Sequence, residues 1–215
     1  MQEQMMLSLP EEIVLLTLDD ETGRAIGRQG LATSIALAGA VLMELALAGR
    51  VDTDRNRLEL LDRSPTGDAV LDAGLALLTD ARDSRGALML LAREEAGLRP
   101  AVLSALLSRG LLRQVDGRVL LVFPERRYFK PEDRPEPREV RARLIRSVER
   151  DDIPEPREAL LLGLARATAL LPLLLPLELL AARQERIALL ARLEALNRSV
   201  SETVGDLYVT RLRSV

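Results

Sequence analysis

Leu31-Ala32-Thr33-Ser34-Ile35-Ala36-Leu37-Ala38-Gly39-Ala40-Val41-Leu42-Met43-Glu44-Leu45-Ala46-Leu47-Ala48 is the stretch on which the fold turns. Ala and Leu dominate it, both strong helix formers, and Gly49 follows where a helix would stop. With apolar side chains nearly all round, such a helix has to be buried at the centre of a core. Membrane spanning is a poor alternative, because Glu44 closes the uncharged run short of the about 20 predominantly apolar residues that a bilayer requires. The other strongly apolar stretch, 159–180, is interrupted by Arg166, Pro172, Pro176 and Glu178, and reads as buried helices with a proline break. Any membrane contact is therefore expected to be peripheral.

Working outward, Ser8-Leu9-Pro10-Glu11 has the form of a capping box, and a short apolar helix should run from it through Leu18. Asp19-Asp20-Glu21-Thr22-Gly23 reads as a turn. On the other side, 51–61 can pair as a hairpin around Asp54-Arg55-Asn56, and Ser64-Pro65-Thr66-Gly67-Asp68 should start a helix reaching about Thr79. Helices are expected at 87–95 and 100–108, with Pro100 in a first turn and Gly110 as a stop. Residues 111–115 and 118–123 flank Asp116-Gly117, the dipeptide that signals a two-residue hairpin turn. The proline- and charge-rich 124–137 should be an exposed connection. Val140, Leu144, Ile145 and Val148 mark one face of a further helix, Ile153-Pro154-Glu155-Pro156 breaks it, and helices follow at 159–171 and 178–196. The pattern predicts a mainly α fold, one domain over residues 1–215, with one or two short β-hairpins.

Composition narrows the chemistry. The 215 residues are 47% hydrophobic and 29% charged, the balance of a folded globule, and only 2% aromatic, so Leu, Ala, Val and Ile must build the core. There is no cysteine and no histidine, which removes thiolate nucleophiles, the usual general base and the common transition-metal ligands. The expectation is a protein that is not an enzyme, with no catalytic residues, no cofactor and no metal. A net charge of −3, from 33 acidic and 30 basic residues, argues against generic nucleic-acid binding. Residues 1–9 lack the basic n-region and long apolar core of a signal peptide, so a cytoplasmic location is expected.

Four segments, in order, resemble the Golgi phosphoprotein 3 family. They are Leu7-Ser8-Leu9-Pro10-Glu11-Glu12-Ile13-Val14-Leu15-Leu16; Val41-Leu42-Met43-Glu44-Leu45-Ala46-Leu47-Ala48-Gly49-Arg50; Pro65-Thr66-Gly67-Asp68 with Leu71-Asp72; and Leu106-Leu107-Ser108-Arg109-Gly110-Leu111-Leu112. The likeness runs from Leu7 to about Arg192. It implies a helical bundle ringed by amphipathic helices and hairpins. It also implies peripheral attachment to an anionic phospholipid membrane surface through recognition of phosphatidylinositol 4-phosphate; the membrane is expected to be the inner face of a bacterial one, since Lys130 is the only lysine and every other basic residue is arginine, as a GC-rich bacterial genome would give. In the family an aromatic residue and an arginine flank the central helix; their places fall at or beside Gln29 and at Ala38, where neither group is kept. Of two further family arginines, the first falls at Ala96 and the second is retained as Arg99.

The expected headgroup-binding residues are therefore Arg99 with Arg24 and Arg28, whose loop lies near the lost aromatic and whose guanidinium forks suit a phosphate. Val119-Leu120-Leu121-Val122-Phe123 is apolar at every position and so on both faces of a strand. Leu120, Val122 and Phe123 are the expected membrane or homo-oligomer interface, the other possibility being cover by helices on both faces. Arg126, Arg127 and Lys130, with Tyr128 and Phe129 among them, suit either a lipid interface or a segment folded back on the protein. Two other functions stay open: a scaffold binding only protein partners, and a winged-helix nucleic-acid binder built from 100–108 and the hairpin, whose candidate recognition helix carries only Arg109 as a basic residue.

Overall fold

The computed structural model describes residues 6–26, 31–54, 57–119 and 123–191. The expected central helix is present as α2 (Leu31–Leu47), which ends where Gly49, at φ +65°, lets Arg50 N–H donate to the Leu45 carbonyl at 2.8 Å. Ile35, Leu37, Leu42, Met43 and Leu45 along it are buried, each contributing about 1.5–3 kcal/mol by leaving water. Packed on it is α1 (Leu9–Leu16), buried on every side. Its capping box is formed as expected: Ser8 Oγ accepts from Glu11 N–H at 3.4 Å and Glu11 Oε2 from Ser8 N–H at 2.9 Å.

The hairpin β1 (Val51–Asp54) and β2 (Arg57–Leu60) leads to α3 (Ala69–Leu77), which a 3-10 turn, Leu78–Asp80, extends. Gly74 brings α3 onto α2 so closely that a Cβ there would sit 2.6 Å from Val41 Cγ1. Next come α4 (Ser84–Arg93) and α5 (Glu95–Ser108). Pro100 lies inside α5 rather than in its first turn, because the helix starts five residues earlier than the proline led one to expect. The carbonyl that loses its donor belongs to Ala96, on the exposed side, where the missing bond costs least.

The second hairpin departs from expectation. It pairs β3 (Arg113–Val119) with β4 (Phe123–Phe129), so Asp116 and Gly117 lie within a strand, opposite Arg126 and Glu125. Gly117 does not take the positive φ that a tight Asp-Gly turn demands. The longer register wins because it lets the end of β4 dock on the body: Tyr128 N–H donates to the Gly23 carbonyl at 2.7 Å. Residues 124–129 are accordingly strand and not an exposed connection, and Lys130 after them is buried.

The chain continues through α6 (Glu136–Glu149) and α7 (Pro156–Ala167), then α8 (Leu171–Leu174), α9 (Leu177–Ala182) and α10 (Gln184–Leu190). The single helix expected over 178–196 is two short pieces meeting at Arg183, and its last residues lie outside the described residues. The fold is mainly helical, the described residues form two small antiparallel sheets, and one cluster of buried side chains extends from Leu7 to Leu190.

Candidate functional site

Residues 17–26, after α1, are held by hydrogen bonds within the segment. Asp19 Oδ1 accepts from Thr22 N–H and Thr22 Oγ1, both at 2.7 Å, and the Thr22 bonds hold the Asp19 carboxyl below its ordinary range. Asp19 N–H donates to the Arg24 carbonyl at 2.8 Å and Leu18 pairs with Ala25. Gly23, at φ +65°, meets β4 so tightly that a Cβ would lie 3.1 Å from both the Phe129 ring and the Tyr128 backbone. Lys130 fixes the same junction from inside. Its Nζ, on a side chain only 3% exposed, is 2.5 Å from Asp20 Oδ1 and 3.4 Å from the Leu18 carbonyl. Of the two readings of the 126–130 segment, folding back on the protein describes Lys130.

Arg99 reaches this loop from α5. Its Nη2 donates to Thr17 Oγ1 at 3.1 Å, at the end of α1. The side chain is half-buried, and that burial pulls the guanidinium down from its ordinary value, with Glu95 and Tyr128 acting in the opposite sense. Glu95, one helical turn earlier, accepts a hydrogen bond from Ser34 Oγ on α2. No carboxylate of the described residues comes within 4.0 Å of the Arg99 nitrogens.

Arg24 stands on the same loop but is committed. Its Nε is 2.8 Å from Glu125 Oε1 on β4, and Glu125 also accepts from Arg127 Nε at 2.8 Å. These two arginines hold the Glu125 carboxyl below its usual range, the Arg24 bond first. Arg28, Leu120 and Val122 lie outside the described residues. Phe123 pairs with Val119 at the far end of the hairpin. Ala38 is fully buried, whereas Ala96 is exposed. Thr17, Glu95 and Glu125 were not singled out from sequence, since each meets its partner only through tertiary packing, Thr17 and Arg99 across 82 positions.

Other charged clusters are structural in form. Glu12, 1% exposed, pairs with Arg143, while Arg157 Nη2 is 2.8 Å from Glu44 Oε2 and 2.6 Å from the Leu7 carbonyl. Arg109, the lone basic residue of the candidate recognition helix, is tied to Glu11 at 2.6 Å. In the 65–72 motif, Asp68 Oδ1 caps α3 by accepting from Val70 N–H at 2.7 Å, and Asp72 Oδ1 accepts from Thr66 N–H at 2.6 Å. An open depression of about 690 Å³ beside β2 is lined by Arg57, Arg63 and Arg82 together with Asp52, Glu59 and Asp80, a balanced set of charges away from Arg99. Among the described residues no group of three acidic side chains is placed to hold a metal, and no helix is long and apolar enough to cross a membrane.

The class so defined is a mainly helical protein whose partly buried Arg99 faces the end of α1 and, among the described residues, has no carboxylate partner. The family model of Golgi phosphoprotein 3 (GPP34) matches residues 9–207, and the chain belongs to that family. It is also 36% identical over 83 residues to Vacuolar protein sorting-associated protein 74 of Eremothecium gossypii, a match covering 34% of this chain and 25% of that relative.

Proposed function

We propose that this protein is a non-catalytic peripheral membrane protein that binds an anionic phospholipid headgroup where α5 and β4 meet the 17–26 loop. The family is one of peripheral proteins that bind phosphatidylinositol 4-phosphate, which supports an anionic headgroup as the ligand. The observation that carries the reading is Arg99: a guanidinium partly withdrawn from water, held by Thr17 and without an ion pair among the described residues, has unused capacity for an anion. Arg24 contributes by ordering the junction through Glu125, and the basic hairpin gives general attraction to an anionic surface. Self-association through the end of the β3–β4 hairpin belongs to the same reading, as does a place on the cytoplasmic face of the membrane.

Vesicle flotation tests it. Wild type should float with phosphatidylcholine vesicles containing an anionic lipid, increasingly so at low salt, and Arg99→Ala should reduce binding about tenfold while keeping its helical circular dichroism. A wild type that stays at the bottom of the gradient with every anionic vesicle would leave a scaffold for protein partners as the better reading. That alternative is favoured by Leu173, Leu177 and Leu189, exposed on α8 to α10.

A further inference from the structure

A cleft of about 260 Å³ lies between α1, α6 and α7 and shares no residue with the Arg99 site. Its lining passes from Met6 and Glu155, both exposed, to Leu144 and Leu161, both buried. Glu12 lines it too, on a side chain only 1% exposed, with Arg143 and Arg157 on either side. Three buried atoms of these residues have no hydrogen-bond partner among the described residues: Glu12 Oε2 and the Nε–H groups of Arg143 and Arg157. Arg143 Nη2 donates to Glu12 Oε1, and Arg157 Nη2 to Glu44 Oε2 and the Leu7 carbonyl. Arg157 Nε stands 3.7 Å from Glu12 Oε2, an ionic contact too long for a hydrogen bond. Polar groups buried in this way are costly until something pairs with them.

We propose that this cleft binds an uncharged single-chain amphiphile, an aliphatic chain ending in a hydroxyl or a primary amide. Such a head both donates and accepts. Its hydrogen goes to Glu12 Oε2, and its oxygen takes an arginine Nε–H. The leucine walls hold the chain, in the usual manner of a small-molecule site with an apolar lining and a few polar groups. Because an apolar cavity of about 150 Å³ holds benzene, this one has room for about eight non-hydrogen atoms. Charged heads fit worse. Glu12 and Glu44 already balance Arg143 and Arg157, so an ammonium would lie against two guanidiniums. A carboxylate would meet Glu12, with Glu155 and Glu158 also lining the cleft. Either ion would lose hydration on entering.

The experiment is titration calorimetry of the full chain at neutral pH with hexan-1-ol, hexylamine and hexanoate, joined to methyl NMR that locates the bound chain. Hexan-1-ol should bind about tenfold more tightly than either ion and shift the methyl signals of Met6, Leu144 and Leu161. Glu12→Gln replaces the repelling charge with an amide, and should tighten hexanoate binding about tenfold. Because that is a gain, a folding defect cannot imitate it. Hexylamine or hexanoate binding wild type as tightly as the alcohol overturns the uncharged head. Shifts confined to the exposed leucines Leu173, Leu177 and Leu189, or no saturable shift at all, overturn the site. None of these outcomes bears on docking through Arg99, which vesicle flotation tests separately.

Discussion

Arg109 Nη1, at the end of α5, lies 2.6 and 2.7 Å from the two carboxylate oxygens of Glu11 in the first turn of α1, across 98 positions of sequence. Glu11 also completes the capping box, so one nearly buried carboxylate closes the start of α1 and ties it to α5. Removing the cation would strand that charge. Arg109→Ala is expected to destabilise the fold by about 3 kcal/mol in urea unfolding, less than a fully enclosed pair because Arg109 keeps some contact with water. A loss below about 1 kcal/mol would mean that the pair behaves like an exposed surface bridge.

Glu12 should give the pH dependence an unusual sign. Burial raises its carboxyl above the ordinary 4.5, outweighing the opposing pull of Arg143 and Arg157. A folded-state pKa above the unfolded one means that the native state binds the proton more tightly. The contribution of Glu12 is then fully present below about pH 4.5 and is lost as pH rises through the folded pKa. Asp19 and Glu125, whose carboxyls are held low, act oppositely and weaken the fold on acidification. Subtracting the stability curve of Glu12→Gln from that of wild type isolates the first effect: the difference should move against wild type as pH rises from 4.5 toward neutrality. A difference that moves in favour of wild type over that range would show that the two arginines win.

The 65–72 motif is predicted to matter for α3 and not for ligand binding. Asp68 accepts from Val70 and Leu71 N–H at 2.7 and 3.1 Å, so Asp68→Ala should cost about 1 kcal/mol in denaturant unfolding. The Thr66 bonds hold Asp72 below its ordinary 3.8, so its contribution is present above that pH and is lost on acidification; Asp72→Asn should flatten this part of the acid limb. Vesicle flotation of both variants should match wild type. A selective loss of binding with unchanged stability would move the motif from scaffold to site.

The helices were legible because their information is local. Ser8 and Glu11 sit three positions apart and find each other as a capping box, Gly49 and Gly110 mark stops that take positive φ, and the apolar run of α2 can only be buried. Of the candidate site, the family resemblance reached Arg99 alone, and Arg24 was offered only as a nearby loop arginine. What surrounds Arg99 comes from α1, α2, α5 and β4, and no spacing in the sequence announces that Glu125 will take Arg24 or that Asp20 will take Lys130. The hairpin register failed for the same reason: a strong local turn signal lost to docking of Tyr128 and Phe129 on Gly23.

That register can be tested at Gly117. In a two-residue Asp-Gly turn both central residues would need positive φ, and Gly117→Ala would be strained. In the strand register Gly117 faces Glu125, its φ lies outside the positive region, and an added Cβ would meet only the Glu125 carbonyl at 3.8 Å and Arg127 Nε at 4.0 Å. Ala should fit there and lose less conformational freedom on folding than Gly, so Gly117→Ala is expected to be neutral or to stabilise by up to about 1 kcal/mol. The denaturation midpoint at unchanged m-value measures this, and cross-strand NMR contacts between Asp116 and Arg126 report the register directly. A loss of more than about 1 kcal/mol, with those contacts missing, would return the turn to Asp116-Gly117 and detach 124–129 from the loop that carries Arg24.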